Sequence, residues 1–211
     1  FLFKINFKRV KKIYLNKEIK IDNLGKSRII SSILNKKSNK KKIRKNFFYH
    51  DKGFIVKKVN DKFVNQYLNF RNLAINRSVS ANYNKISLLD HYIWWLSTKR
   101  KSYALYKNNQ IKLFFYDEII YFNNKQYSLQ GWFACGNDLG IREILTALNW
   151  HQKYMRKKKN IDLSFGIIKK GNKINFSKYL NWRPIQKDSQ EHGILKKICK
   201  IDKKYNYYSR Y

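Results

Sequence analysis

Two stretches of the chain carry residue types at spacings that could do chemistry. In "GWFACGNDLGIREILTALNWHQKYMRKKK" a strand-like run, Gly131–Cys135, turns through Gly136 and Gly140 into a long amphipathic pattern that predicts a helix over 140–158. The glycines are either ordinary punctuation or a loop that offers bare backbone N–H groups to an anion at a helix N-terminus. For the second, the free amides, the positive helix end and the absent Cβ at Gly140 all favour an anion, and Arg142 either adds charge or obstructs close backbone approach. The other stretch is "FRNLAINRSVSANYNKISLLDHYIWWL", with Arg71, Asn72, Arg77, His91 and Trp94. An arginine fork can hold a phosphate, while Asn and His can bond hydroxyls.

Each of these residues also has a plain structural role open to it. His91 orients a ligand or acts as a base, as an imidazole titrating near neutrality can, or it is a helix-face histidine satisfied by a backbone group. Arg71 and Asn72 bind substrate or cap a helix. Trp94 and Trp95 form core or a platform for a sugar. Trp132 and Phe133 alternate, so one faces the core and the other a cleft. Asp117 and Glu118 stand in an apolar hairpin, facing solvent or accepting a proton. Cys135 has no base beside it in sequence and reads as an inert thiol.

The elements that position these residues follow from periodicity. "GFIVKKVN" predicts a strand, and "DKFVNQYLNFRN" a helix with Asp61 suited to N-capping and Phe63, Tyr67 and Phe70 on one face. "ISLLDHYIWWLSTKR" predicts a helix capped by Ser87. Three strands follow, "KSYALYKNNQ", "IKLFFYDEIIYFNN" and "QYSLQGWFACG", with hairpin breaks at "KNNQ" and "FNNK". After the helix over 140–158 come the strand "IDLSFGIIKK", a short helix "NKINFSKYLNW" and a last strand near "RPIQKD". The order is β-α-α-β-β-β-α-β-α-β.

The bulk numbers narrow the class. With 43% hydrophobic residues in 211, the chain fills a core and is not a disordered polymer. The net charge of +34 permits a nucleic-acid partner, but Lys comes with abundant Asn, Ile, Tyr and Phe, a bias that AT-rich codons also produce. No apolar run is long enough to span a membrane, no histidine or cysteine spacing suits a metal, and Cys135 and Cys199 read as reduced cytoplasmic thiols. The block "KKSNKKKIRKN" reads as a solvated linker. The expected organisation is therefore a remnant of a preceding domain over 1–36, a basic linker over 37–52, one domain over 53–186 and a C-terminal strand and tail over 187–211. The first residue, Phe1, fits a piece cut from a longer chain.

Over about residues 53–186 the order and motifs resemble the GNAT superfamily of N-acetyltransferases. The resemblance is closest to those that acetylate amino sugars in bacterial pseudaminic- or legionaminic-acid pathways, whose early segment reads Arg-Asn, Arg or Lys, Ile-Ser, His-x-x-Trp. Here these are Arg71, Asn72, Arg77, Ile86, Ser87, His91 and Trp94. The resemblance implies an α/β fold with a mostly antiparallel central sheet flanked by helices, and acetyl-coenzyme A as co-substrate with no metal. The cofactor would lie along Phe133, Ala134 and Cys135 and on the loop Asn137, Leu139, Gly140, Ile141 and Arg142. Of the family's Gln/Arg-x-x-Gly-x-Gly/Ala loop only Gly140 is kept. Arg71, Asn72, Arg77 and Trp94 would hold a nucleotide-linked amino sugar, and His91 would act on its amine. In the family's last motif Lys170 replaces Asn and Asn181 replaces Gly. Ser177 stands where a tyrosine often serves as general acid, and as a serine is a poorer and shorter acid, that role falls to Ser177, to Tyr179 or to water. Alternative acceptors are a protein N-terminus or a ribosomal protein, and a third reading is a basic RNA- or ribosome-associated protein that has lost catalysis. Residues 19–34, "IKIDNLGKSRIISSIL" in their setting, resemble the end of GT-B-type nucleotide-sugar hydrolases, which implies a bifunctional parent chain.

Overall fold

The computed structural model describes residues 47–51, 53–80, 83–157, 160–170, 179–199 and 201–210. The expectations for 1–36, for the basic block up to 46 and for Ser177 lie outside these residues. Strands β1 (Phe47–Asp51) and β2 (Phe54–Lys58) are followed by a short 3-10 turn and helices α1 (Val64–Arg71), α2 (Ala74–Ser78) and α3 (Leu88–Ser97). Then come β3 (Lys101–Lys107), β4 (Gln110–Phe122), β5 (Lys125–Ala134), α4 (Ile141–Arg156), β6 (Leu163–Lys169), β7 (Arg183–Pro184), α5 (Gln190–Ile198) and β8 (Tyr205–Arg210). The strands form one sheet of eight in the order β1-β2-β3-β4-β5-β6-β8-β7.

Local chemistry explains the long meander. Asn108 and Asn109 turn β3 into β4 with φ of 50° and 60°, and Asn123 and Asn124 turn β4 into β5 with 48° and 60°. Two consecutive left-handed residues suit a two-residue hairpin, and Asn tolerates that region better than other side chains with a Cβ. β5 and β6 are parallel, which requires a crossover, and α4 supplies it. α4 buries Ile144, Ala147, His151 and Met155 at helical spacing. Ser87 caps α3 by accepting from the Asp90 N–H at 3.1 Å.

Three boundaries differ from the sequence reading. Asp61 does not cap; Asn60 does, and Asp61 is buried, accepting from the Trp95 indole at 3.0 Å. Residues 47–51, expected in the linker, are an edge strand paired to β2. Residues 187–211, expected as a strand and tail, contribute α5 and a strand that inserts between β6 and β7. Ser189 caps α5, and the buried Leu195 joins Tyr127, Leu163 and Phe165 in one apolar cluster, so this segment shares the core of the sheet.

Candidate functional site

β5 and β6 begin as partners and then separate. Their register runs from Tyr127↔Leu163 to Gln130↔Gly166 and stops, although β5 continues to Ala134 and β6 to Lys169. This is not fraying. β5 remains paired with β4 up to Ala134, and β6 remains paired with β8 up to Lys169. The gap therefore lies between two supported arms. The Trp182 ring stands on Gly166, where an added Cβ would come 3.2 Å from it, and it shares an apolar cluster with Trp132 of β5 and Ile168 of β6.

The backbone facing the gap follows from alternation. Cys135 donates its N–H to the Lys112 carbonyl at 2.9 Å, so odd-numbered residues at the end of β5 turn their backbone groups to β4. Trp132 and Ala134 then face the gap. Ala134 is already bonded there: its N–H donates to Asn76 Oδ1 at 3.0 Å and its carbonyl accepts from Asn76 Nδ2 at 2.7 Å. Lys169 Nζ donates to the Ser78 carbonyl at 2.6 Å. The short helix α2 thus ties both arms of the gap at its mouth. Nothing in the sequence pattern singled out Asn76; only its burial in a polar pairing marks it.

At the far end of β5 the loop enters α4 through Gly140, whose φ of −84° and ψ of 161° make it an N-cap without a side-chain bond. One carboxylate lies in this loop and one in the first turn of α4. Lys112 bonds Asp138 at 2.6 Å and Lys107 bonds Glu143 at 2.7 Å, and these lysines hold both carboxyls below their ordinary range. Leu139 packs on the cluster that includes Phe54, Ile141 is half exposed, and the Arg142 guanidinium stands 5.7 Å from the Phe54 ring centre.

On the other side of β5, between the sheet and helices α1 and α3, lies a cavity of about 180 Å³ lined by Tyr67, Arg71, Ile86, His91, Trp94, Arg100, Tyr116 and Phe133. Four of the residues expected to act, Arg71, His91, Trp94 and Phe133, meet here. Gly131 makes room, because a Cβ there would overlap the Tyr116 ring. The Arg100 guanidinium lies 4.0 Å over the Tyr116 ring and 5.4 Å from the Trp94 ring centre, and it donates to Glu118 at 3.1 Å.

Several expected roles are corrected by this geometry. His91 is 2% exposed, and its Nε2 donates to the Val64 carbonyl at 2.8 Å. Burial outweighs that bond and pushes its pKa down to about 4, so near neutrality it is an uncharged, positioned ring and a weak base. Asn72 spends its amide on Ile86, accepting from its N–H and donating to its carbonyl, each at 2.9 Å. It shapes the cavity through Ile86 and does not line it. Arg77 donates to the Asn72 and Tyr83 carbonyls and lies outside the lining. Burial pushes the Cys135 thiol up, in line with an inert residue. Tyr179 is 45% exposed and not part of the cavity wall. Asp117 faces α4, and Glu118 is held by Arg100. Arg100 and Tyr116 escaped the sequence reading because Arg100 sits in "STKRK", which looks like a basic surface run.

No protein-family model matches the sequence. No curated protein matches it either. Solved structures do match in shape. The ribosomal L7/L12 alpha-N-protein acetyltransferase RimL in complex with coenzyme A superimposes with a TM-score of 0.58 at 10% identity, over 78% of this chain and 97% of that one. A ribosomal-protein-alanine N-acetyltransferase from Brucella melitensis gives 0.56 at 12%, over 74% and 98%. An N-acetyltransferase from Staphylococcus aureus gives 0.57 at 11%, over 74% and 97%. The fold is the GNAT acetyltransferase fold. Among the described residues, no helix is long and apolar enough to cross a membrane.

Proposed function

We propose that this GNAT-fold chain is an N-acyltransferase that draws on an acyl-coenzyme A and acylates a primary amine. The observation that carries the reading is the parting of β5 from β6 between two fully paired neighbours, which opens a strand edge into a gap. The residues present fit the cofactor. Trp132 offers backbone groups to a pantetheine arm, and the uncapped Gly140 amide end of α4 lies at the end of the same strand. Lys107, Lys112 and Arg142 offset the carboxylates of Asp138 and Glu143 there. Bound in this way, the cofactor would supply the acyl group as a thioester; a nitrogen–carbon bond would replace the carbon–sulfur bond, the amine would lose one proton and the coenzyme would leave as its protonated thiol.

The chain's own residues do the rest. A Trp132 N–H directed into the gap can donate to a polarised carbonyl. The aromatic walls of the cavity exclude water around the amine, and the buried His91 fixes α3 against α1 without taking the proton. The acceptor expected from the Arg-Asn to His-x-x-Trp segment is a nucleotide-linked amino sugar. The neighbours that act on ribosomal proteins support a protein N-terminus equally, so both belong in the assay. Calorimetric titration with acetyl-coenzyme A should give saturable heat, followed by thiol release in the presence of an acceptor amine. A folded protein that shows no heat at about millimolar ligand, beyond the range in which working enzymes bind substrates, overturns the reading.

A further inference from the structure

Two guanidiniums, those of Arg71 and Arg100, line the cavity by α1 and α3, and one carboxylate, Glu118, outside the lining, is bonded to Arg100. Among the described residues Arg71 has no carboxylate partner; it donates to the Asn76 carbonyl at 3.4 Å, a long contact. The buried Nε of Arg100 has no hydrogen-bond partner among the described residues. Burial, with the Arg100 cation a lesser cause, pushes the Arg71 guanidinium below its ordinary value. Two like charges thus share a half-enclosed space with one counter-charge and with donors unused. A buried cation left unpaired is costly, and a bound anion removes that cost. The remaining walls, Tyr67, Trp94, Tyr116 and Phe133, are aromatic.

From this arrangement, and resting on the acyltransferase reading of the same site, we infer that the acceptor is an amine bearing its own anionic group, which Arg71 and Arg100 hold while the aromatic walls enclose the carbon frame. The geometry suits an anion that presents two oxygens to a planar fork, as carboxylate and phosphate both can. The Arg100 fork is stacked on Tyr116, so its plane is fixed and its N–H directions are set before the ligand arrives. Glu118 takes one corner of the fork, and the buried Nε has no hydrogen-bond partner among the described residues. The size limits what enters. About 180 Å³ equals the liquid volume of about six waters at ~30 Å³ each. That holds the anionic end and the ring or chain next to it, and a whole nucleotide sugar extends beyond it. Carboxylate and phosphate share the required chemistry, so a carboxylate on an amino acid and a phosphate on an amino sugar are the two sources to separate.

The test uses matched pairs with the intact protein: glucosamine 6-phosphate against glucosamine, and phenylalanine against its amide, each as acceptor in thiol release from acetyl-coenzyme A. At least one charged member should exceed its neutral partner by tenfold or more in kcat/KM, and which pair responds names the source. Arg71→Met and Arg100→Met should abolish that preference while acetyl-coenzyme A affinity stays within about twofold. Inorganic phosphate, titrated at about 0.15 M salt so that the exposed lysines are screened, gives a readout independent of turnover. Each Met variant should weaken the tightest phosphate site by tenfold or more. If a Met variant loses its native circular-dichroism spectrum, Arg71→Lys and Arg100→Lys decide in its place. They keep the charge and lose the fork, so affinity between the two extremes is expected and wild-type affinity overturns the inference. Equal use of charged and neutral partners with thiol released also overturns it and leaves the acyltransferase reading standing. Phosphate binding that needs both arginines, with no thiol released from any acceptor and no acetyl-coenzyme A bound, upholds the anion site and removes the acyltransferase reading.

Discussion

On the α4 side of β4, Tyr103, Phe115 and Trp150 pack ring to ring, with Phe115 fully buried between Tyr103 at 5.5 Å and Trp150 at 5.7 Å. On the other side Tyr67, Trp94, Tyr116 and Phe133 are as aromatic, yet they enclose open space. The difference lies in how each face treats charge. The α4 face buries His151 against Asp117 at 3.1 Å, both shut away from solvent. The two side chains bond each other and rings close over them, although the buried His151 Nδ1 has no hydrogen-bond partner among the described residues. The cavity face holds two arginines against one glutamate, and charge without an internal partner has to keep access to water or a ligand. One face is built to hold the sheet to α4, and the other to receive something.

Truncation should separate the two faces most sharply. Phe115→Ala empties a site with no route to collapse, and the expected loss is about 3–5 kcal/mol in urea unfolding. Trp94→Ala, at the edge of existing space, should cost less than about 2 kcal/mol because the cavity only widens. Equal losses would erase the distinction between a packed and a receptive face. Next in size is the polar pair. Asp117→Leu strands the fully buried His151, and the expected cost is about 2–3 kcal/mol, within the range for an orphaned buried group. Glu118→Leu, in a pair with side chains 26% and 35% exposed, should change stability by under about 1 kcal/mol and act on acceptor binding. A larger effect for Glu118 than for Asp117 would reverse the assignment of the faces.

A smaller effect is expected from pH. His91 has a folded pKa of about 4 against an ordinary 6.5. The unfolded chain therefore binds this proton first, and the stability tied to the neutral ring is complete above about pH 6.5 and is lost as pH falls toward 4. The loss is on the order of 1–3 kcal/mol across that window. His91→Phe should flatten the fall in the urea midpoint between pH 7 and 4.5 relative to wild type. If His91 were the base instead, turnover would follow a pKa near neutrality and His91→Phe would remove that limb without changing the acid slope of stability.

How much of this was visible in the sequence depends on whether the signal was local. The Asn-Asn hairpins, Ser87 as a cap and the amphipathic α4 are properties of a few neighbouring residues, and they were legible. So was the strand, glycine loop and helix around Gly140. The cavity was legible by half. Arg71, His91 and Trp94 sit on one segment whose spacing pairs them, while Arg100 and Tyr116 arrive from β3's approach and β4 through sheet register, which no short window encodes. Asn72 and Arg77 have the residue types of ligand contacts, but the backbone groups of Asn72, Tyr83 and Ile86 on either side of the short helix α2 claim them first. His91 shows the same limit. Its identity announces a titrating group, and only burial says that the group stays neutral. β8 was missed as part of the sheet because its partner, β6, lies some forty residues earlier.

The smallest effect on stability is expected at Gly140, and it tests whether cleft and cavity have separate tasks. Its φ of −84° is open to any residue, so Gly140→Ala needs no strained backbone. The new Cβ would stand 2.6 Å from Glu143 Oε2, the far end of a flexible side chain, which can shift while Lys107 follows it. Restricting the unfolded chain offsets that rearrangement by about 0.4–1 kcal/mol, and the unfolding midpoint should stay close to wild type. Ligand binding should respond differently. A methyl group and a displaced carboxylate both intrude where a pyrophosphate would approach the first amides of α4. Acetyl-coenzyme A affinity should fall about tenfold, or about 1.4 kcal/mol, while phosphate binding that depends on Arg71 and Arg100 stays unchanged. Loss of that phosphate site in Gly140→Ala would show that loop and cavity bind one and the same anion. Unchanged acetyl-coenzyme A affinity, in a protein of native stability, would place the nucleotide away from this loop and leave Gly136 and Gly140 as turn residues between β5 and α4.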